Sequence, residues 1–163
     1  MLTAIGDVMR EAYKRGWITT RDGNCSVRMR GRDYLYITPS GWRKTIIHPE
    51  QVVKIKIKDE ELKLKPGTNP SGELWMHWNL LKGKDKTRSI LHLHPTYCVA
   101  AMYRGWQLNH IVRDFPEVFR YTKTGPNVPK LEATSMQLAD QTYNKFLGED
   151  GKIAYDIVGQ ECH

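Results

Sequence analysis

No run of apolar residues in this 163-residue chain approaches the roughly 20 needed for a membrane-spanning helix, so no helical span and no membrane partner are expected. Cysteine is scarce: Cys25, Cys98 and Cys162 are odd in number and widely spaced, with no C-x-x-C pair. That excludes a disulfide framework or a zinc ribbon and leaves three reduced thiols. The opening Met1-Leu2-Thr3-Ala4-Ile5-Gly6-Asp7 lacks the basic start and apolar core of a signal peptide, which makes a cytoplasmic location the default expectation. Also missing are internal repeats, low-complexity stretches, and the Walker and G-x-G-x-x-G patterns of nucleotide sites.

What is present describes an ordinary globular domain, 40% hydrophobic and 26% charged, long enough to bury a core and short enough to be one domain. The formal charge of +7 fits nucleic acid, an anionic membrane or a phosphorylated small molecule, and its distribution helps to choose. Much of it lies in Val52-Val53-Lys54-Ile55-Lys56-Ile57-Lys58 and Leu62-Lys63-Leu64-Lys65. Such strict alternation predicts a hairpin turning at Asp59-Glu60-Glu61, apolar inside and lysine outside. A solvated face explains these lysines better than a nucleic-acid groove, so no nucleic-acid partner is expected.

Along the chain, Leu2, Ile5, Val8, Met9, Ala12 and Tyr13 recur at helical spacing, with Gly16 as a plausible C-cap. Two strand-like pieces follow, 23–28 and 34–37, and then a tight turn, Thr38-Pro39-Ser40-Gly41. After the loop Pro66-Gly67-Thr68-Asn69-Pro70, Ser71-Gly72-Glu73 opens a helix to about Leu81, with Ser71 as N-cap and Glu73 in the first turn. That structural role would by itself account for Glu73. A short helix from Pro95 to about Tyr103 is expected, then a region rich in aromatics. A helix from Ala133 to Leu147 follows, with Met136, Ala139, Tyr143 and Phe146 on one side, and last a strand over 153–158. The alternation of strands and helices predicts a mixed sheet covered by helices.

The stretch Ser89-Ile90-Leu91-His92-Leu93-His94-Pro95 carries the chemistry. Side chains alternate along a strand, so His92 and His94 share a face and can act as a two-finger metal clamp; a hydrogen-bonded histidine pair is the plainer alternative. Pro95 ends the strand or opens the next helix, which puts His94 beside a loop. Two other metal-enzyme patterns fail. A cupin needs a glutamate where Cys98 stands, and the H-x-H-x-D-H hydrolases need acid and histidine where Thr96 and Tyr97 stand.

Taken in order, Gly23-Asn24-Cys25-Ser26-Val27-Arg28, Thr38-Pro39-Ser40-Gly41, Pro70-Ser71-Gly72-Glu73 with His77, and His92-Leu93-His94-Pro95 resemble the class II aldolase/adducin family over nearly the whole chain. His163 matches the family's third histidine. The resemblance implies an α/β fold, a three-layer α/β/α domain with a mostly antiparallel central sheet, and a homotetramer with active sites between subunits. It implies a divalent ion, commonly zinc, on His92, His94 and His163, with Glu73 as the acid/base. It assigns Asn24, Ser40, Gly41, Ser71 and Gly72 to the phosphate of a sugar phosphate. Family domains continue past the third histidine, so the chain is expected to lack the C-terminal part of a single domain spanning 1–163.

The implied activity is a metal-dependent lyase: retro-aldol cleavage of a ketose 1-phosphate, of the fuculose- or rhamnulose-phosphate type, through a metal-stabilised enediolate. The alternatives are a sugar-phosphate 4-epimerase or dehydratase of the same family, or a non-catalytic adducin-like oligomerisation head. Three neutral imidazoles leave a tetrahedral ion one open position, as catalytic sites require. Glycines at 41 and 72 allow close backbone approach, serines at 40 and 71 donate hydroxyls, and a helix start offers free N–H groups. His77 is expected to face the core or hydrogen-bond the site. His48 is expected in a loop, His110 in a structural or subunit contact, and Trp75 and Trp78 to pack. Tyr103 and Tyr121 are candidates for a proton-donating tyrosine.

Overall fold

The computed structural model describes residues 2–57, 62–82 and 87–162. The chain divides into two compact units, Met1–Pro95 and Thr96–His163. The first is built on four strands, β1 (Asn24–Arg28), β2 (Tyr34–Ile37), β3 (Val53–Lys56) and β4 (Ser89–His92), in the order β3-β2-β1-β4. Every pairing between them is antiparallel.

Register decides which residues meet. Ser26 stands opposite Ile37 on one side and Ile90 on the other, and Leu35 stands opposite Ile55. Asn24, Ser26, Leu35, Ile37, Ile55, Ile90 and His92 therefore share one face. Against its apolar part pack Leu74, Trp78 and Leu81 of α2 (Leu74–Lys82). The opposite face presents Cys25, Val27 and Tyr36 to Ile5, Met9 and Ala12 of α1 (Leu2–Lys14), with Ile18 and Ile47 completing that layer. The result is an α/β fold, a three-layer α/β/α arrangement around an antiparallel sheet, as the sequence led one to expect. Burial of Leu35 and Ile37 at 0% exposure contributes about 1.5–3 kcal/mol each.

α1 keeps the bounds predicted from its periodicity. Its end is a Schellman closure, in which Gly16 N–H donates to the Tyr13 carbonyl at 3.0 Å and Trp17 N–H to the Ala12 carbonyl at 2.9 Å. Midway along it, Gly6 lets the Ile47 carbonyl approach so closely that a Cβ would lie 2.5 Å from it. Two aromatic expectations also hold: Trp78 is buried, and Trp75 meets it edge-on with ring centroids 6.0 Å apart.

Elsewhere the structure departs from the sequence expectations. β3 is an edge strand, with Lys54 and Lys56 exposed, while Leu62–Lys65 forms no second arm. Leu62 packs instead against the α2-side core. Alternation reports a two-faced segment but not a pairing partner, and lysines on an edge strand discourage one. The expected turn Asp59-Glu60-Glu61 lies outside the described residues. β4 ends at His92, short of His94, and α2 begins at Leu74, so that Glu73 stands just before the helix rather than in its first turn.

The second unit holds α3 (Thr96–Tyr103), α4 (Leu108–Ile111), α5 (Pro116–Tyr121) and α6 (Met136–Phe146). α6 starts later than its apolar spacing indicated because Thr134 takes φ 61, outside the right-handed helical region. Ser135 caps it, the hydroxyl oxygen accepting from Leu138 N–H at 3.0 Å. Its buried face is Leu138, Ala139 and Thr142, while Met136 is exposed. Residues 153–158 form no continuous strand. Ile153 bridges Leu147 antiparallel and Ile157 bridges Thr124 parallel, so the extended segment changes partner before a ladder can form. No helix among the described residues is long and apolar enough to cross a membrane.

Gly6→Ala tests the α1 contact. In an open helix interior the change would add about 1 kcal/mol. Here the new methyl meets backbone, and we expect a loss of about 1–3 kcal/mol in urea unfolding, with the m-value unchanged.

Candidate functional site

β1 and β4 pair so that Asn24 lies directly opposite His92. Gly23, at φ +67, makes the entry to β1 possible: a Cβ there would lie 2.5 Å from the Ile18 side chain and 3.1 Å from the His92 carbonyl. Past β4, His94 N–H donates to the Trp17 carbonyl at 2.9 Å. Although only His92 is in the strand, the two Nε2 atoms converge to 2.8 Å, with the rings at 90° to one another. Two nitrogens bound to one tetrahedral ion at ordinary zinc distances lie about 3.3 Å apart, so a small opening of this pair suits an ion.

A carboxylate that the sequence did not single out supports the pair. Asp22 Oδ2 lies 3.3 Å from His94 Nδ1, and its Oδ1 accepts from Thr19 N–H at 2.5 Å. With Nδ1–H turned to Asp22, the lone pair of His94 is on Nε2, facing His92. Asp22 and His94 are 72 residues apart, a separation that no sequence spacing reveals. Lys44 was missed too. Its side chain is buried, which pushes its pKa down, while the nearby Asp22 opposes that shift. Among the described residues no group of three histidine, cysteine or carboxylate side chains could hold an ion; His163 lies outside them.

The two loops of small residues meet beside β1. Thr38 N–H donates to the Cys25 carbonyl at 3.0 Å, and the Thr38 hydroxyl accepts from Cys25 N–H at 3.3 Å. Pro39 bridges Pro70, Ser71 N–H donates to the Thr38 carbonyl at 3.0 Å, and Ser40 N–H donates to the Asn69 carbonyl at 2.9 Å. Ser40, Gly41, Ser71 and Gly72 thus occupy adjoining segments at the end of the sheet that starts with Asn24. Arg21 donates to the Gly41 carbonyl at 2.7 Å, adding a cation at this rim. The Ser71 hydroxyl accepts from Glu73 N–H at 3.3 Å. Glu73 itself is buried at the head of α2, with its carbonyl accepting from His77 N–H at 3.3 Å.

His77 is fully buried between α2 and β1, with Nδ1 2.6 Å from Ser26 Oγ and Nε2 2.5 Å from Asn24 Oδ1. Burial pushes its pKa down to about 3, so the ring is neutral at ordinary pH. An amide oxygen can only accept, which places the ring hydrogen on Nε2 and leaves Nδ1 to accept from the Ser26 hydroxyl. Core burial and a bond to the site were alternatives in the sequence, and His77 has both. Cys25, its thiol pushed up to about 11 by burial, packs on the α1 side of the sheet, the face opposite His92. His48 opens a short 3₁₀ turn, its N–H donating to Gln51 Oε1 at 2.9 Å, and His110 lies in α4. Tyr103 and Tyr121 are exposed in the second unit.

The burial of His77 has a pH signature. Between its ordinary 6.5 and about 3, the unfolded chain takes up a proton that the folded chain refuses. Stability should therefore fall as pH drops through that window, by up to about 1.4 kcal/mol per pH unit from this residue. His77→Gln, which cannot titrate, should show a shallower acid limb in urea unfolding measured from pH 7 to pH 3.

Residues 3–154 match the family described as the class II aldolase and adducin N-terminal domain. An L-fuculose phosphate aldolase of Methanococcus maripaludis strain C7 is 32% identical over 88 residues, covering 54% of this chain and 46% of the relative. A 3-oxo-tetronate 4-phosphate decarboxylase of Escherichia coli O6:H1 is 29% identical over 119 residues, covering 72% of this chain and 54% of the relative. The chain thus spans about half the length of these two relatives. Among solved structures, the L-fuculose-1-phosphate aldolase of Thermus thermophilus superposes with a TM-score of 0.73 at 21% identity, covering 99% of this chain and 76% of that one. At that identity the likeness concerns the fold.

Proposed function

Since the chain belongs to the class II aldolase and adducin N-terminal domain family, we propose that it is a metal-dependent lyase that cleaves a ketose 1-phosphate by a retro-aldol reaction. The observation that carries this is the convergence of His92 and His94 Nε2 atoms at 2.8 Å on the sheet end flanked by the two small-residue loops. Relatives named as fuculose-phosphate and 5-deoxy-ribulose 1-phosphate aldolases support a sugar phosphate as substrate.

His92 and His94, with His163 kept as third ligand on the family pattern alone, would hold a divalent ion such as zinc, whose Lewis acidity stabilises negative charge developing on the ketose oxygens. Asp22 orients the His94 ring with its Nε2 lone pair toward His92, where the ion would bind. Asn24, Ser40, Gly41, Ser71 and Gly72 bind the phosphate through amide, hydroxyl and backbone N–H donors, and Arg21 adds positive potential at the rim. As the C3–C4 bond breaks, Glu73 takes the C4 hydroxyl proton while C4 becomes an aldehyde, the electron pair of the broken bond passes into the enediolate, and Glu73 returns that proton to C3. Burial of Glu73 keeps water from competing for that proton.

The family match runs through both compact units, which supports reading them as one domain. A homotetramer belongs to the same proposal, supported by the large aromatics that the second unit exposes, Tyr97, Tyr103, Phe119 and Tyr121. So does a cytoplasmic setting, which suits three free thiols. A decarboxylase is the second reading, favoured by the 3-oxo-tetronate 4-phosphate decarboxylases among the relatives. It places the same charge on the same enediolate and releases carbon dioxide instead of an aldehyde.

A panel of ketose 1-phosphates and keto-acid phosphates separates these readings by the fragment released beside the shared three-carbon keto-phosphate: an aldehyde for the aldolase, carbon dioxide for the decarboxylase. Glu73→Gln should retain bound zinc and lose about 10²–10⁴-fold in turnover, whereas His92→Ala should lose both. Full activity in the glutamine variant would remove Glu73 from the proton transfer. Asp22→Asn should weaken zinc binding about 10–100-fold in a chelator competition, without displacing the ion altogether.

A further inference from the structure

Asn24 and Ser26 lie two residues apart on one face of β1, and the His77 ring bridges them from α2 with a bond at each nitrogen. Their exposures are 5%, 0% and 0%, so water cannot replace either bond. We propose that His77 is a positioning residue: as the Nε2–H tautomer, braced by the Ser26 hydroxyl, it grips the Asn24 amide by its oxygen and so commits the Nδ2–H₂ edge to the substrate phosphate. The inference rests on the assignment of Asn24 to the phosphate site.

A side-chain amide has two edges of nearly equal shape and opposite polarity. A phosphate dianion needs the donor edge, and a flipped Asn24 would offer it oxygen lone pairs. Nothing on Asn24 itself distinguishes the two orientations. With Nε2 protonated, the flip would set one N–H against another inside a dry layer, so the ring makes one orientation strongly preferred. All three residues are on regular elements, Asn24 and Ser26 on β1 and His77 in the first turn of α2. The ring never touches substrate in this role. Its effect is on phosphate binding, not on the proton transfer at C3, so it should appear in KM and leave kcat unchanged.

The test uses inorganic phosphate as probe, by calorimetry, alongside KM and kcat for the best substrate of the panel. Asn in place of His77 reproduces only Nδ1, and Gln reproduces only the Nε2 donor. His77→Asn and Asn24→Ala should each weaken phosphate binding about tenfold or more, the double variant no further than either, and His77→Gln should restore most of it. In His77→Asn the loss should lie in KM, with kcat within about twofold of the parent. If Asn24→Ala weakens phosphate and His77→Asn does not, the positioning role is overturned while the phosphate site stands. If Asn24→Ala binds phosphate normally, the phosphate assignment falls and the positioning role with it. Should His77→Asn fail to fold, long-range proton–nitrogen NMR of the parent protein decides: an Nε2–H ring supports the proposal, and an Nδ1–H ring overturns it.

Discussion

Where β1 and β4 run antiparallel, Asn24 faces His92 and Ser26 faces Ile90, and most of what is distinctive in the first unit depends on that register. Shifted by one residue, β4 would turn His92 toward α1 and Leu91 toward α2, because side chains alternate strictly across a sheet. The pairing is anchored at both ends. Arg28 N–H donates to the Arg88 carbonyl at 2.7 Å beyond one end, and Gly23 permits close approach of the His92 carbonyl at the other. The apolar neighbours Ile37 and Ile90 then bury the middle of the same face under α2.

Two sets of histidines are held on this framework under different physical regimes. His77 is sealed in the layer between sheet and helix, where a charge is costly, so it is neutral and both its nitrogens are committed to protein partners. His92 and His94 are part-buried at the end of the strand, edge to edge, with Asp22 behind one of them. The first arrangement suits a fixed hydrogen-bond bridge. In the second the two Nε2 atoms meet in a hydrogen bond at 2.8 Å, the plainer of the two arrangements open in the sequence and one that a shared cation could replace.

Relatives of this chain carry names for carbon–carbon cleavage that differ in the fragment released, an aldehyde or carbon dioxide. A single arrangement can serve both because each route leaves negative charge on the same kind of enediolate. What would distinguish them is the group that meets the departing fragment, a matter of the side chains set on the fold and not of the fold itself.

Much of the first unit was legible residue by residue: the limits of α1 and β2, the T-P-S-G turn, the neighbourhood of Ser71, and the histidine pair, because each rests on local periodicity or local turn chemistry. The lysine-rich second arm, the strand over 153–158 and the exposed side of α6 were misread for one shared reason. Alternation and apolar spacing describe the faces of a segment, and whether a partner covers a face is settled elsewhere in the chain. Tertiary structure alone put Asp22 behind His94, joined Thr38 to Ser71, and made His77 the bridge between Ser26 and Asn24, contacts spanning 72, 33 and about 50 residues of sequence. The sequence by itself determined which residues could do chemistry and which segments could carry them; only folding chose the distances between them, since a hydrogen bond across the core is specified by packing and not by spacing along the chain.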